Sequence, residues 1–136
     1  MDVQRNPLTG QVIECAIDVH RALGPGLLES AYDRCLTHEL ATRGIAFVRQ
    51  AAVPIVYKGV SFGCGYRVDF LIERELILEI KSVDNVLPIH HAQIITYLKL
   101  LGVRQGLLIN FNAHTVMRGL KSFLLDPDPP ILDGAS

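Results

Sequence analysis

Three charged side chains, Asp69, Glu79 and Lys81, stand in a stretch that otherwise reads as buried sheet: Arg67-Val-Asp-Phe-Leu-Ile-Glu-Arg-Glu-Leu-Ile-Leu-Glu-Ile-Lys81. Residues 66–72 and 76–81 are rich in Val, Ile, Leu and Phe and read as two strands joined by the polar triplet Glu73-Arg74-Glu75. With that triplet as the hairpin loop, Ile72 faces Leu76, and the register sets Asp69 opposite Glu79. Alternation then predicts one face with Val68, Phe70, Ile72, Leu76, Leu78 and Ile80. The other face carries Leu71 and Ile77 together with Asp69, Glu79 and Lys81. Both faces are largely apolar, which predicts a sheet covered on both sides. Like charges facing each other destabilise a sheet, and a buried unpaired carboxylate costs on the order of several kcal/mol. A divalent cation between the two carboxylates, with Lys81 completing the balance, would compensate. The competing reading is a pair at the sheet rim, salt-bridged to Lys81 and Arg67 and worth little. Apolar neighbours on both faces favour the cation. Two carboxylates, a main-chain carbonyl and waters are a set that Mg²⁺ accepts.

Further candidates lie on helices. Glu29 falls in the first turn of a helix, where its residue type alone suits capping and the helix dipole. Tyr32, three residues on, shares that face; it is either a half-buried core tyrosine or a phenol that hydrogen-bonds a carboxylate or a phosphate oxygen. Gln93 and Tyr97 share a face of a later helix, with His90 one turn earlier. His90 and His91 are adjacent, point apart, and suit surface or packing roles better than ligation. The chain has no GxSxG, no Walker loop and no GxGxxG after a strand. Gly63-Cys64-Gly65 precedes a strand instead of a helix, so it reads as a bulge or a close backbone approach and not as a phosphate cradle.

The spacing of Asp69 and Glu79-Ile80-Lys81 resembles the active-site signature of the PD-(D/E)XK nuclease superfamily. Gly26-Leu-Leu-Glu29-Ser-Ala-Tyr32 reproduces the motif for which its GxxExxY family is named, and Gln93-x-x-x-Tyr97 and Leu107-Leu-Ile-Asn-Phe111 are similar to that family too. The resemblance runs from about Leu8 to Phe123; Val68 stands where the superfamily name has Pro. It implies a restriction-endonuclease-like αβββαβ core with a mixed sheet flanked by helices on both faces. It also implies a Mg²⁺- or Mn²⁺-dependent phosphodiesterase acting on nucleic acid, DNA ahead of RNA. In that reading Asp69, Glu79 and the Ile80 carbonyl bind the metal. Glu29 faces it from the helix, in its first or second coordination shell. Lys81 orients or helps deprotonate the attacking water and stabilises charge on the scissile phosphate. Tyr32, Gln93 and Tyr97 support the site or touch the nucleic-acid strand. The alternative, in a different functional class, is a non-cleaving nucleic-acid-binding or regulatory module that keeps the fold.

Composition bounds these readings. The chain has 136 residues, 49% of them hydrophobic and 20% charged, which predicts one globular domain over 1–125, with a Pro-rich, disordered tail over 126–136. No basic-plus-apolar leader and no bilayer-length apolar run are visible, and the three cysteines form no CxxC pair. A cytoplasmic protein with reduced core thiols and no membrane partner is expected. A net charge of −1 makes any polyanion-binding surface local, drawn from Arg49, Lys58, Arg67, Lys99, Arg104, Arg118 and Lys121. A homodimer or a partner chain could pool such cations, Arg49, Lys58, Arg104 and Lys121 among them.

The positioning elements follow from periodicity. Helices are expected over Leu8–Leu23, from about Leu27 to Thr42, and over Pro88–Leu101. Short strands are expected at 47–50 and 53–57, with Pro54 favouring an edge. Lys58-Gly59 is expected to turn the chain into the central hairpin. The apolar run 106–111 suits an interior strand, joined in parallel through the last helix to the strand bearing Glu79.

Overall fold

The computed structural model describes residues 6–125; the tail at 126–136, expected to be disordered, lies outside the described residues. Two helices open the chain: α1 (Pro7–Leu23) and α2 (Glu29–Thr42). Asn6 caps α1, its side chain accepting from the Leu8 N–H at 2.9 Å, and Pro7 occupies the first turn, where its missing N–H costs nothing. Then come β1 (Phe47–Ala52), β2 (Ile55–Tyr57), β3 (Val60–Phe62), β4 (Arg67–Ile72), β5 (Leu76–Lys81), α3 (Pro88–Leu101), β6 (Gln105–Asn110), α4 (Val116–Gly119) and β7 (Leu120–Leu124).

Five strands form one mixed sheet in the order β1-β4-β5-β6-β7. The central hairpin closes with Ile72 opposite Leu76, and β5 runs parallel to β6 through the α3 crossover, both as the sequence predicts. β6 is buried at every position, as befits an interior strand whose two faces are covered. One core cluster joins Val12, Ala16, Leu36 and Leu40 of α1 and α2 to Phe70, Ile72, Leu78 and Ile109; the other joins Ile94 and Leu98 of α3 to Ile77 and Leu108. Helices thus cover both faces of the sheet, and the αβββαβ core is present.

Several elements depart from the expectation. Lys58-Gly59 does not lead into the central hairpin; it closes a separate two-stranded sheet of β2 and β3. Both turn residues have positive φ (50° and 78°), the geometry of a type I′ turn, which glycine suits. Pro54 lies between β1 and β2 rather than within a strand. The short α4 and the edge strand β7 extend the core beyond Phe111. Val68 leaves the face of Phe70 and Ile72 and packs with Ile77 and the α3 side. The alternation breaks where the β1–β4 ladder skips the Gln50–Asp69 rung, Gln50 having a left-handed φ of 51°. Cys15 is buried and Cys35 partly so, but Cys64 is exposed, contrary to the expectation of a core thiol.

The loop between α1 and α2 is held from within. Tyr32 is fully buried; its hydroxyl donates to the Gly24 carbonyl at 2.6 Å and accepts from the Leu27 N–H at 3.2 Å, and its ring stacks on Phe111 at 4.5 Å. Tyr32→Phe keeps the stack but leaves both main-chain groups without that partner. The expected cost is about 1–3 kcal/mol, read as a lower urea midpoint at unchanged slope. A wild-type midpoint would show that the hydroxyl holds nothing.

Candidate active site

The β4–β5 ladder stops where the charges begin. Phe70 still pairs with Leu78, but Asp69 and Glu79 do not form the next rung. Each carboxylate instead accepts a main-chain N–H of the opposite strand: Asp69 Oδ2 from Ile80 at 2.7 Å, and Glu79 Oε1 from Asp69 at 3.0 Å. Two side chains thus stand in for the missing ladder bonds, and the strands can part without orphaning those donors. Burial, then the neighbouring Asp69 charge, push the Glu79 carboxyl up to about 8, with its hydrogen bond from the Asp69 main chain and Lys81 opposing. Asp69 is raised as well, chiefly by burial, against the pull of the Ile80 N–H and Lys81. At neutral pH the pair therefore favours holding a proton or a cation.

A cleft of about 310 Å³ opens beside the pair on the α2 side, lined by Asp69 and Ile80 with Glu29, Asp33, Arg49 and Gln50. Glu29 stands exposed on its rim at the start of α2. Partial burial raises its carboxyl, Lys81 pulls it down and Asp69 pushes it up. The loop carrying Glu29 is tied to the strand end carrying Lys81, since the Ser82 hydroxyl donates to the Leu27 carbonyl. Lys81 pairs in register with Asn110 of β6. The Asn110 side chain accepts from the Val83 N–H at 3.1 Å and donates to its carbonyl at 2.9 Å, fixing the segment after Lys81.

From the other side of the sheet, Tyr97 of α3 is buried, and its phenol is raised by burial and by the Glu79 charge. Gln93, on the same helix, is exposed. His90 receives the Leu87 N–H at the start of α3, and His91 meets Phe123 edge-on, so both hold packing roles. Tyr32 does not reach a carboxylate; its hydroxyl is spent on the loop before Glu29, so it supports the site from a distance. Arg104 precedes β6, at the opposite end of the sheet from Lys81 and Asn110, so it cannot share a groove with the cleft of its own chain.

Among the described residues, no three His, Cys, Asp or Glu side chains gather closely enough to hold a metal ion. Asp69 and Glu79 do fit a cation. Each has one oxygen tied to a main-chain N–H, and burial raises both carboxyls against the pull of Lys81. With the Ile80 carbonyl and waters this is an all-oxygen donor set of the kind Mg²⁺ or Mn²⁺ takes.

Sequence reasoning missed Asp33 and Gln50, and named Arg49 only as a candidate surface cation. Asp33 is buried and takes the Arg49 guanidinium at 3.0 Å. Gln50 lies against Asp69, favouring its charged form, and its own carbonyl accepts from Arg67 at 3.3 Å. Asp33 and Arg49 sit on different elements and no local motif joins them; Gln50 carries no glycine-like signal for its left-handed backbone.

A family model of the PD-(D/E)XK nuclease superfamily matches residues 6–123 of the chain. No curated protein and no solved structure matches it.

The raised Glu79 carboxyl sets a pH dependence. The folded protein keeps a proton that the unfolded chain releases near the ordinary glutamate value of 4.5, so between there and about 8 folding is linked to proton uptake. This stability is complete at low pH and is lost as pH rises toward 8. In EDTA, the melting temperature is expected to fall between pH 5.5 and 8, Glu79→Gln should flatten that fall, and Mn²⁺ at pH 8 should restore the wild type. An equal slope in Glu79→Gln would rule out this carboxyl as the source.

Proposed function

The chain belongs to the PD-(D/E)XK nuclease superfamily, whose members are mostly nucleases and typically use divalent metals, and from that membership we propose that it is a Mg²⁺- or Mn²⁺-dependent phosphodiesterase of the GxxExxY branch that hydrolyses nucleic acid. The observation that carries the reading is the interrupted rung. Two partly buried carboxylates face each other, each with one oxygen tied to a main-chain N–H, beside a lysine two residues on and an open cleft.

Asp69, Glu79 and the Ile80 carbonyl would hold the cation, which when bound supplies charge neutralisation at the phosphate and acidifies a water. Lys81 is free of a close ion pair among the described residues. Its ammonium can orient the attacking water and meet the charge that grows on the phosphate oxygens. Glu29, raised by partial burial and held on the rim by the Ser82–Leu27 tether, can hydrogen-bond a water on the cleft side. Tyr97 closes the inner flank of Glu79. Gln93, exposed on α3, would meet the strand. The GxxExxY assignment rests on Gly26, Glu29 and Tyr32, whose jobs here are separable: Tyr32 fixes the loop and Glu29 faces the cleft.

Two measurements test this. Titration calorimetry with Mn²⁺ should show binding that Asp69→Asn weakens by tenfold or more; equal affinity would remove the cation from this pair. On labelled single- and double-stranded DNA and RNA, wild type should cleave in Mn²⁺, and Lys81→Ala should lose roughly a hundredfold or more, the usual size of one lost transition-state charge contact, while still binding Mn²⁺. Retained cleavage in Lys81→Ala would place the activity elsewhere. Mn²⁺ binding without any cleavage would favour the non-cleaving module.

A further inference from the structure

The β2–β3 hairpin is an arm inserted between two residues of the cleft, Gln50 of β1 and Asp69 of β4. Its root is fixed by the Val53 N–H donating to the Tyr66 carbonyl at 2.8 Å. Beyond that root it forms its own sheet. The register places Ile55 opposite Phe62 and Tyr57 opposite Val60, so these four side chains share one face. That face is uncovered: Tyr57 is 62% exposed, Val60 53% and Phe62 47%, and Tyr66 at the root is 47% exposed. An isolated two-stranded hairpin is marginal in water, and an apolar face on one needs an occupant.

Resting on the nuclease reading above, we propose that this arm is a stacking platform for an unpaired nucleic-acid strand leading to the cleft. Three observations select that occupant. First, charge: from Val53 to Arg67 the arm carries Lys58 and Arg67 and no Asp or Glu, while the rest of the chain holds eleven Lys and Arg against fourteen Asp and Glu. In a protein of net charge −1, this is a segment complementary to phosphate, and Lys58 already lies over the Tyr57 ring at 5.4 Å. Second, continuity: Tyr66 meets Tyr97 at 6.2 Å between ring centroids, and Tyr97 is close enough to feel the Glu79 charge. Aromatic rings therefore run from the α3 side of Glu79 to the root of the arm, whose two ends lie next to Gln50 and Asp69 of the cleft. Exposed aromatics interleaved with cations are how unpaired bases are held, and paired bases do not offer their faces.

Third, area argues against a second copy of this chain. An aromatic side chain carries about 150–250 Å², so at these exposures Tyr57, Phe62 and Tyr66 together offer on the order of 300 Å². A stable interface takes about 800 Å² from each partner.

The test is fluorescence anisotropy of a labelled oligo(dT) strand and a blunt duplex with the full chain in EDTA, comparing wild type, Lys58→Ala, and the double variant Tyr57→Ala with Phe62→Ala. Wild type should bind the single strand more tightly than the duplex. The double variant should lose roughly tenfold or more for the strand, with melting temperature and Mn²⁺ affinity unchanged, and Lys58→Ala should lower the salt dependence of binding. No strand binding by wild type, equal affinity in the double variant, or a wild-type dimer in sedimentation that the double variant dissolves would each overturn the proposal. Binding is read without metal, so failure of cleavage alone counts against the phosphodiesterase reading and not against the arm.

Discussion

Continuing the β4–β5 ladder one rung past Phe70 and Leu78 would set Asp69 directly against Glu79, with Cβ atoms about 5 Å apart. At an effective dielectric constant near 20, two full charges at that distance repel by roughly 3 kcal/mol. A ladder hydrogen bond contributes about 1 kcal/mol net, so regular pairing cannot outweigh the repulsion. The strands part instead, and the carboxylates take over the donors exposed by the parting. The rest of the site is arranged around that gap. Ile80 lends its N–H to Asp69, Gln50 on the next strand adopts left-handed backbone opposite Asp69, and Val68 is turned to the other face. The disruption stays local because the rungs from Phe70 to Ile72 and the full parallel ladder to β6 remain intact on either side.

Holding the surrounding side chains falls to main-chain tethers. Leu27 is gripped at both polar groups, its N–H by Tyr32 and its carbonyl by Ser82. Ser82 follows Lys81 directly, and the next residue, Val83, is gripped at both groups by Asn110. The spacing between Glu29 and Tyr32 thus has a mechanical meaning: one side faces the rim, while the other, three residues later, is sunk against Phe111 and fixes the loop that presents its neighbour. Glu29 and Lys81 lie on separate elements, yet their positions are coupled through these few bonds, and no residue in the chain of bonds is itself charged.

What the sequence made legible is what depends on periodicity and on near neighbours. The Ile72–Leu76 register followed from a three-residue polar loop, the end of α1 from Gly24-Pro25-Gly26, and the α3 boundaries from Pro88 and Gly102, while α1 begins at Pro7, one residue before the expected Leu8. The both-faces burial of β6 followed from an unbroken apolar run. The pairing of Asp69 with Glu79 was correct as a register and incomplete as structure, because alternation assumes a regular ladder that the charges themselves interrupt. Gln50 escaped notice since its φ of 51° is imposed by tertiary surroundings on a residue with no intrinsic preference for it. The same holds for Tyr32: a tyrosine three residues after a helix-start glutamate reads equally as core or ligand, and only the position of the Gly24 carbonyl decides. The β2–β3 arm was misread because 53–57 and 66–72 both look like strands, and a type I′ turn between them says nothing about which sheet each strand joins.

On the proposed function, the charges around the cleft would couple cation and polyanion binding. Four carboxylates, Glu29, Asp33, Asp69 and Glu79, lie in or beside it, against the cations of Arg34, Arg49 and Lys81. Arg49 is committed to Asp33. With every group ionised the region carries an excess of one negative charge, which a phosphodiester would meet as repulsion. Protonation of Glu79 cancels it; a single divalent cation would reverse it. Cation and phosphate therefore favour each other's binding at the cleft, and by linkage the coupling is the same in both directions. A substrate that relied on the cleft alone would have no foothold before the cation arrived. On the proposed function, an arm free of acidic residues and rooted beside the cleft would offer such a foothold, and would let a chain of net charge −1 engage a polyanion while its carboxylates hold a metal.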